Sequence, residues 1–296
     1  MDRTEALFQD EGFQYVRCIA CGLVYLNPRP TEEALKAWYQ SHGSATDVQF
    51  SQERQENYYK RYLENQGGYL LEGERFLKRI TASGILKGRI LEVGCAAGFY
   101  LAAFQKAGWE TYGLELSEVF IRHAREALRL NVQKGTLTEV VFQENFFDAI
   151  LMIDTLSHFT SPRKMFQEGF RVLKEGGVLL LRTGNKGALL EKKKGEWWGE
   201  NWGAPEHLYH FSEKTLRALL EKTGFQIQRF DSYANVANLI SPASLRLPNT
   251  VYRFHKAFRL PYRFMRLLLT ATLGHSLRNA PLSGTLVVLA VKPMKG

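Results

Sequence analysis

The stretch at residues 89–100, RILEVGCAAGFY, constrains the fold more than any other part of the chain. Ile90, Leu91 and Val93 predict a short buried strand, and a helix follows the small residues at 94–98. Small residues in such a turn let a ligand lie against backbone N–H groups, because no side chain holds it away. The sequence therefore predicts a strand, a ligand-binding turn and a helix.

Glu92 places a carboxylate inside this otherwise apolar strand. A buried acid is costly unless a cation or a hydrogen-bond donor meets it. A ligand that carries an ammonium group, or a row of backbone N–H groups, would supply that partner.

The spacing of the turn separates two kinds of cofactor site. Dinucleotide sites use G-x-G-x-x-G, but here the second and third glycine positions are Ala96 and Phe99. The acid-x-Gly-x-x-x-Gly pattern of Glu92, Gly94 and Gly98 instead resembles motif I of the class I (Rossmann-like) S-adenosylmethionine-dependent methyltransferases. An ordinary strand-to-helix turn is the alternative for a glycine pair taken alone.

A second acid, Glu115, ends the next predicted strand, residues 110–115, and lies 21 residues beyond Gly94. A carboxylate at the tip of this strand can accept both ribose hydroxyls of an adenosine. The alternative is a solvated charge at a strand end. Ser117 is predicted to cap a helix at residues 119–129.

The downstream chain keeps alternating strands and helices. Strands are predicted at 147–154, 177–183, 225–230 and 285–291, with helices at 162–173 and 213–223. The glycine pair at 176–177 is expected to stop the first of these helices. The segments FDAILMIDTLSHF and RVLKEGGVLLLRTGN also resemble the methyltransferase pattern. The resemblance, over residues 85–235 and 284–293, implies an α/β fold with a Rossmann-like, seven-stranded, mostly parallel sheet whose last strand is antiparallel.

The resemblance also implies S-adenosyl-L-methionine as the cofactor. The residues expected to contact it are Glu92, Gly94, Cys95, Ala96, Gly98, Glu115, Leu116 and Asp154. Two positions depart from the family pattern. The segment 134–136 lacks the acid that often meets adenine, so the residue that reads adenine stays open. Ala96 replaces a usual glycine, which requires a negative φ at this position.

Three histidines are candidate general bases for the acceptor. His158 follows the fourth strand, and His207 and His210 follow the fifth on a loop rich in tryptophan. An imidazole has a suitable pKa for proton transfer near neutrality. Each histidine can instead be structural. A sulfonium methyl is already activated, so positioning alone can supply most of the rate.

The Cys18-x-x-Cys21-Gly segment is similar to the second half of the zinc ribbon found ahead of many methyltransferases of this group. Structural zinc takes four ligands, and the residues before Cys18 contain neither Cys nor His. The sequence therefore predicts a degenerate hairpin without a metal, unless a second chain completes the site. A redox role has less support, since no thioredoxin-like βαβ unit surrounds the pair.

The sequence predicts that the chain is divided into five parts. They are a degenerate zinc-ribbon-like hairpin and helix (1–45), a helical lid or linker (46–84), the methyltransferase core (85–235), a basic amphipathic helical insertion (236–283) and the final strand of the core (284–296). Four aromatic residues in the predicted N-terminal helices can contact the ligand or pack within a lid: Trp38, Tyr39, Tyr58 and Tyr59.

The net charge of +9 resides in the C-terminal part, because residues 232–296 hold nine Lys and Arg and no Asp or Glu. Within 250–270 the bases recur on one helical face and apolar residues on the other. Such a helix suits the surface of an anionic membrane. It can also pack its apolar face on the core. Nucleic acid has less support, because no RNA-binding module accompanies it.

The remaining composition indicates a globular protein. The N-terminus lacks a signal-peptide pattern, no run of about 18 apolar residues occurs, and three cysteines make no disulfide framework. We therefore expect a cytoplasmic location, with peripheral membrane contact left open.

The function predicted is methyl transfer to a small-molecule acceptor, with oxygen preferred and a glycosylated or lipid-linked acceptor allowed. The alternatives are a non-catalytic cofactor-binding subunit and, with less support, an NAD(P)-dependent oxidoreductase.

Overall fold

The computed structural model describes residues 3–10, 12–41, 59–186, 204–233 and 284–294. Two β-sheets organise this part of the chain. The strands are β1 (Thr4–Asp10), β2 (Phe13–Cys18), β3 (Val24–Leu26), β4 (Arg89–Val93), β5 (Glu110–Glu115), β6 (Asn131–Lys134), β7 (Phe147–Ile153), β8 (Leu173–Gly184), β9 (Tyr209–His210), β10 (Gln226–Tyr233) and β11 (Thr285–Val291). The helices are α1 (Glu32–Ser41), α2 (Gln66–Thr81), α3 (Phe99–Lys106), α4 (Glu118–Glu126), α5 (Pro162–Val172) and α6 (Glu213–Lys222), and residues 59–64 are also helical.

The larger sheet has seven strands in the order β10-β11-β8-β7-β4-β5-β6. Strands β6, β5, β4, β7 and β8 run parallel to their neighbours, and β11 is antiparallel to both β8 and β10. The predicted α/β fold, with its mostly parallel sheet and antiparallel last strand, is confirmed. Parallel strands need crossover helices, and these helices cover both faces of the sheet.

Alternate residues of the central strands serve two separate apolar cores. Leu91 and Ile150 belong to one cluster of buried side chains, whereas Ile90 and Leu151 belong to the other. Because successive side chains of a strand point to opposite faces, a strand covered on both sides reads as a continuous apolar run. This is why Glu92 and Arg182 stand out in their strands.

The smaller sheet has the order β1-β2-β3-β9. Strands β1, β2 and β3 come from the N-terminal segment, and β3 pairs antiparallel with β9, which lies in the predicted core. The predicted N-terminal hairpin thus shares a sheet with a strand of the predicted core.

The predicted role of the glycine pair at 176–177 as a helix stop, with the next strand beginning at Gly177, is wrong. Helix α5 ends at Val172 and Leu173 is already extended, so the glycine pair lies inside β8. Gly176, at φ 74°, donates its N–H to the carbonyl of Lys292, and the N–H of Lys292 returns a bond to Gly177. Pairing with the chain after β11 decides the conformation here, and the local glycine signal does not.

The basic segment 250–270 and the rest of the predicted insertion at 236–283 lie outside the described residues. None of the helices that are described combines the length and apolar composition needed to cross a bilayer.

Candidate active site

A cavity of about 890 Å³ lies at the carboxyl ends of β4, β5 and β7. Its walls also include residues of α1, α2, the 59–64 helical segment and the loop that follows β7. This is the edge at which open α/β sheets bind ligands. The volume lies in the upper part of the roughly 300–1,000 Å³ common for small-molecule sites.

Glu92 brings a buried carboxylate, with one oxygen unpaired among the described residues, to the wall of this cavity. Its side chain is 1% exposed, and its Oε2 has no hydrogen-bond partner among the described residues. Burial raises the pKa of Glu92 well above its usual range, and the nearby Glu115 adds to this, whereas Arg182 opposes it. A buried acid of this kind is best stabilised by a cationic ligand group.

Glu115 stands at the end of the adjacent strand and is held by three backbone donors. Its Oε2 accepts from the N–H of Ala96 at 2.9 Å, and its Oε1 accepts from Leu116 at 2.7 Å and from Ser117 at 2.9 Å. Burial raises the pKa of Glu115, and these three bonds oppose the rise. The fixed carboxylate lines the cavity and keeps further lone pairs for ligand hydroxyls. Ser117 occupies the N-cap position of α4, but its side chain makes no capping bond.

Gly94 brings the backbone of the turn to the cavity wall. Its φ is 74°, and a Cβ placed on it would lie 2.3 Å from Cγ2 of Thr155. Gly98, at φ 81°, packs instead against Leu130, whose Cδ1 would lie 2.4 Å from an added Cβ. The first glycine therefore shapes the cavity, and the second lets α3 begin close to the core.

The two residues after Gly94 differ in where they face. Ala96 lines the cavity at φ 46°, so the expected negative φ is wrong. A left-handed alanine costs about 1–2 kcal/mol, and the bond between its N–H and Glu115 holds it in place. Cys95 is buried, and its Sγ packs close to Gly113, so its side chain does not line the cavity.

Asp154 reaches the cavity and meets Arg182, a residue that the sequence analysis missed. Arg182 Nη2 lies 2.6 Å from Asp154 Oδ2 and 3.2 Å from the hydroxyl of Tyr100. Its Nη1 pairs with Glu72 of α2, and Tyr100 donates to Glu72 at 3.0 Å. Arg182 is a charge within an apolar strand, which is the same signal that singled out Glu92.

The three predicted histidines form a row, of which one end reaches the cavity. The ring centroids of His158 and His207 are 4.6 Å apart, and those of His207 and His210 are 6.1 Å apart. His158 lines the cavity, whereas His207 and His210 do not. His210 is 6% exposed on β9, and burial holds its pKa well below the usual value.

Burial disfavours the charged form of His158, although hydrogen bonds to the backbone of Glu206 and of Asp154 oppose this effect on its pKa. Its Nδ1 lies 3.1 Å from the carbonyl oxygen of Glu206, and because a carbonyl only accepts, Nδ1 carries the proton. Burial, and secondarily the proximity of His207, lower the pKa of His158 to about 3. A ring with such a pKa is a weak proton acceptor at neutral pH.

Beyond Glu115 the cavity is lined by Leu116, Phe120 and Thr136. The nearby Glu139 accepts from the N–H and the hydroxyl of Thr136, both at 2.9 Å, and does not itself line the cavity.

The predicted lid aromatics are placed only in part. Tyr58 lies outside the described residues, as do the side chains of Trp38 and Tyr39. Tyr59 bonds to His123 at 2.9 Å and does not line the cavity. Tyr62 and Tyr69, which the sequence analysis did not single out, stack at 4.3 Å and do line it.

Comparison with known proteins identifies the family. A family model described as a methyltransferase domain matches residues 56–229, which is more than half of the chain. The chain belongs to this family.

Individual relatives match this methyltransferase over shorter segments. A protein of Mycolicibacterium smegmatis named a probable S-adenosylmethionine-dependent methyltransferase is 26% identical over 140 residues, 47% of this chain and 52% of that protein. The ubiquinone biosynthesis O-methyltransferase of Coxiella burnetii is 31% identical over 116 residues, 37% of this chain and 50% of that protein. The matches thus span about half the length of these relatives.

The fold agrees with a solved methyltransferase structure. An S-adenosylmethionine-dependent methyltransferase of Thermotoga maritima superposes with a TM-score of 0.52 at 20% identity, covering 81% of this chain and 97% of that chain. The predicted methyltransferase class and S-adenosylmethionine cofactor are confirmed at the level of the family.

The residues of the cavity fit this cofactor. The orphaned Oε2 of Glu92 suits an ammonium group, the fixed carboxylate of Glu115 suits a pair of hydroxyls, and Gly94 leaves backbone uncovered between them. Within the described residues, no group of three or more His, Cys, Asp or Glu could hold a metal ion.

We expect Gly94→Ala to lower the free energy of unfolding by about 2–5 kcal/mol. The left-handed conformation contributes about 1–2 kcal/mol, and overpacking against Thr155 about 1–3 kcal/mol. Thr155→Ser removes the clashing methyl group. The double variant should therefore recover the part of the lost free energy of unfolding that comes from overpacking. Gly68→Ala, in open space on α2, is the matched control and should be neutral or stabilising. If urea unfolding shows that the two substitutions change the free energy of unfolding in a strictly additive way, the proposed contact between residues 94 and 155 is contradicted.

Proposed function

We propose that this methyltransferase transfers a methyl group from S-adenosylmethionine to an oxygen atom of a small-molecule acceptor. The single observation that carries the proposal is the pair of carboxylates, Glu92 and Glu115, at the ends of adjacent parallel strands on one cavity. The first is buried with its Oε2 unpaired among the described residues, and the second is held by backbone donors.

Each part of the cavity has a role in this proposal. Glu92 would bind the ammonium group, Glu115 the ribose hydroxyls, and Gly94 and Ala96 would allow close approach of the backbone. When bound, the cofactor supplies a methyl group on a positively charged sulfur. The protein then has to exclude water and hold the acceptor in line, and such positioning supplies much of the rate.

An oxygen acceptor is supported by the ubiquinone-biosynthesis relatives, whose name denotes O-methyltransferases. The match covers half of that protein, so the acceptor itself stays a proposal. The cavity volume supports a cofactor together with a small acceptor in one space. Identification of the product labelled by methyl-labelled cofactor would show whether the acceptor is glycosylated or lipid-linked.

Of the three histidines, we propose His158 as the one that contacts the acceptor, because it alone among them lines the cavity. His207 and His210 would support it from behind. Replacing His158 by Ala should lower turnover with little change in cofactor affinity. Since its pKa is about 3, turnover should show no inflection from His158 between pH 5 and 8. An inflection near pH 6.5 that disappears in His158→Ala would contradict this reading.

Two measurements test the function. Calorimetry with S-adenosylmethionine and with NADH should show binding of the first alone. Transfer from methyl-labelled cofactor to a metabolite extract should then yield a labelled product, whose alkali stability and fragmentation identify the methylated atom. Tight cofactor binding without any labelled product would favour the non-catalytic subunit, and NADH binding would favour the oxidoreductase.

We also propose that the zinc-ribbon-like segment folds without a metal. Cys18 ends β2, its carbonyl accepts from the N–H of Gly22 at 2.8 Å, and Cys21 is exposed in the turn between them. The backbone of the hairpin therefore closes through its own hydrogen bonds. Metal analysis of protein purified in excess zinc, followed by dialysis, should find less than stoichiometric zinc. One zinc per chain or per dimer would show that the site is completed elsewhere.

Contact of residues 250–270 with an anionic membrane is proposed on the sequence alone. Sedimentation with phosphatidylserine vesicles should depend on Arg259 and Arg263, and changing both to Glu should abolish it. A wild-type protein that ignores such vesicles at low salt would remove the membrane proposal, leaving the apolar face to pack on the core.

A further inference from the structure

We infer that the N-terminal sheet is a positioning element of the active site, and that Tyr15 of β2 is the residue through which it acts. The inference rests on the proposed function for its effect on turnover. Its structural part concerns how the hairpin holds the segment at residues 204–210, which forms one wall of the cavity.

Backbone pairing joins the two parts. Strand β3 pairs with β9, with Val24 opposite His210 and Tyr25 opposite Tyr209. The N–H of Leu26 extends this pairing by donating to the carbonyl of Leu208 at 3.0 Å. The wall segment is therefore the fourth strand of a sheet whose other three strands come from the N-terminal segment.

Tyr15 adds the side-chain contact. It is fully buried, and its hydroxyl donates to the carbonyl oxygen of His207 at 3.1 Å. Its ring lies 5.2 Å from the ring of His210. One residue thus fixes both the backbone and a side chain of the wall segment.

From the wall segment the contacts continue to the cavity. The N–H of Leu208 donates to the carbonyl of Ser157 at 2.7 Å, and His158 donates to the carbonyl of Glu206 at 3.1 Å. Both His158 and Glu206 line the cavity. A shift of the carbonyl that Tyr15 holds would therefore move two cavity residues together.

A second contact runs from the same sheet. The hydroxyl of Tyr209 donates to the carbonyl of Thr160 at 3.2 Å, and Arg29 packs over the Tyr209 ring at 5.2 Å. Thr160 also lines the cavity. Leu35 of α1 lines the cavity directly, so the N-terminal segment also contributes to the lining itself.

The test is Tyr15→Phe, which removes the hydroxyl and keeps the ring. The control is Tyr112→Phe, which removes a hydroxyl bonded to Glu110 in β5, away from the cavity. The readout independent of turnover is the Nδ1 proton of His158, seen by NMR near neutral pH and assigned by its loss in His158→Ala. We expect this proton to exchange with water at least about tenfold faster in Tyr15→Phe, the population change that about 1.4 kcal/mol produces. Tyr112→Phe should leave it unchanged.

Turnover and cofactor affinity complete the test. Tyr15→Phe should lower kcat about tenfold, because the wall contacts the acceptor, and should keep the cofactor Kd within about twofold by calorimetry. Normal proton exchange together with normal kcat would overturn the inference. Faster exchange with normal kcat would overturn its functional part. If Tyr15→Phe is unfolded, Tyr209→Phe tests the second contact in its place: faster exchange of the His158 proton supports the positioning role of the sheet, and unchanged exchange together with unchanged kcat overturns it. If the wild type shows no methyl transfer, the proposed function fails, and the proton exchange still decides the structural inference.

Discussion

Replacing Glu115 by Ala is expected to weaken S-adenosylmethionine binding by about 100-fold or more. A hydrogen bond to a charged acceptor contributes about 1.5–3 kcal/mol, and two ribose hydroxyls would lose their shared acceptor. Since about 1.4 kcal/mol corresponds to a tenfold change in Kd, the loss of two bonds should raise the Kd by about 100-fold or more. Isothermal calorimetry on the purified variant measures this directly.

The same substitution should also destabilise the protein, because the N–H groups of Ala96, Leu116 and Ser117 lose the carboxylate that they share. Binding is therefore measured well below the Tm of the variant. Glu110→Ala is the matched control, since Glu110 begins the same strand but is exposed and pairs with Arg89 at the surface. It should change stability by less than about 1 kcal/mol and leave the Kd unchanged. Equal affinity in wild type and Glu115→Ala would remove Glu115 from the cofactor site.

Replacing Glu92 by Gln is expected to weaken cofactor binding at least about tenfold while making the ligand-free protein more stable at alkaline pH. The binding loss follows because the neutral amide cannot match the charge of an ammonium group, and a charge-assisted bond is worth about 1.5–3 kcal/mol. The stability gain follows because the buried carboxylate has no partner at Oε2 among the described residues.

The sign of the pH dependence follows from the raised pKa of Glu92. Between the pKa of an unfolded glutamate, about 4.3, and the raised folded pKa, the folded chain holds a proton that the unfolded chain has released. Raising the pH through this window therefore favours unfolding. The difference in Tm between Glu92→Gln and wild type should grow in favour of the variant as the pH rises. A difference that is constant with pH would show that Glu92 is already ionised and paired in the folded protein.

Cofactor binding offers a further measurement at the same residue. An ammonium group beside Glu92 lowers its pKa, so wild-type protein should release protons on binding at any pH between the pKa of Glu92 in the bound protein and the raised pKa in the free protein. Calorimetry in buffers of different ionisation enthalpy detects this release. Glu92→Gln should release fewer protons, whereas Glu110→Gln should behave as wild type.

Much of the site was predictable because it lies within short segments. The strand, turn and helix at residues 89–106 place Glu92 and Gly94 by local pattern alone, and the next strand places Glu115 by the same rule. Parallel pairing of consecutive βα units then brings both acids to one sheet edge without further information. Arg182 could have been found by the same reasoning, as a charge in a buried strand.

The contacts that were missed join residues far apart in the sequence. Tyr15 and His207 are 192 positions apart, and Glu72 and Arg182 are 110 apart, so no local period relates them. The φ of Ala96 was also predicted wrongly, because the bond from its N–H to Glu115 favours a conformation that an isolated alanine avoids. The histidines looked equivalent in the sequence, yet packing brings one of the three to the cavity.

The sequence by itself thus indicated the succession of strands and helices along the core, its mostly parallel sheet and the two acids at one edge of that sheet. Hydrophobic periodicity and turn residues report these features, since each depends on a few neighbouring residues. Only the tertiary structure decided which of the histidines line the cavity, how Arg182 is paired and that the N-terminal hairpin forms a sheet with β9. Those contacts depend on how separate elements pack, and packing is set by the shape and burial of the whole chain.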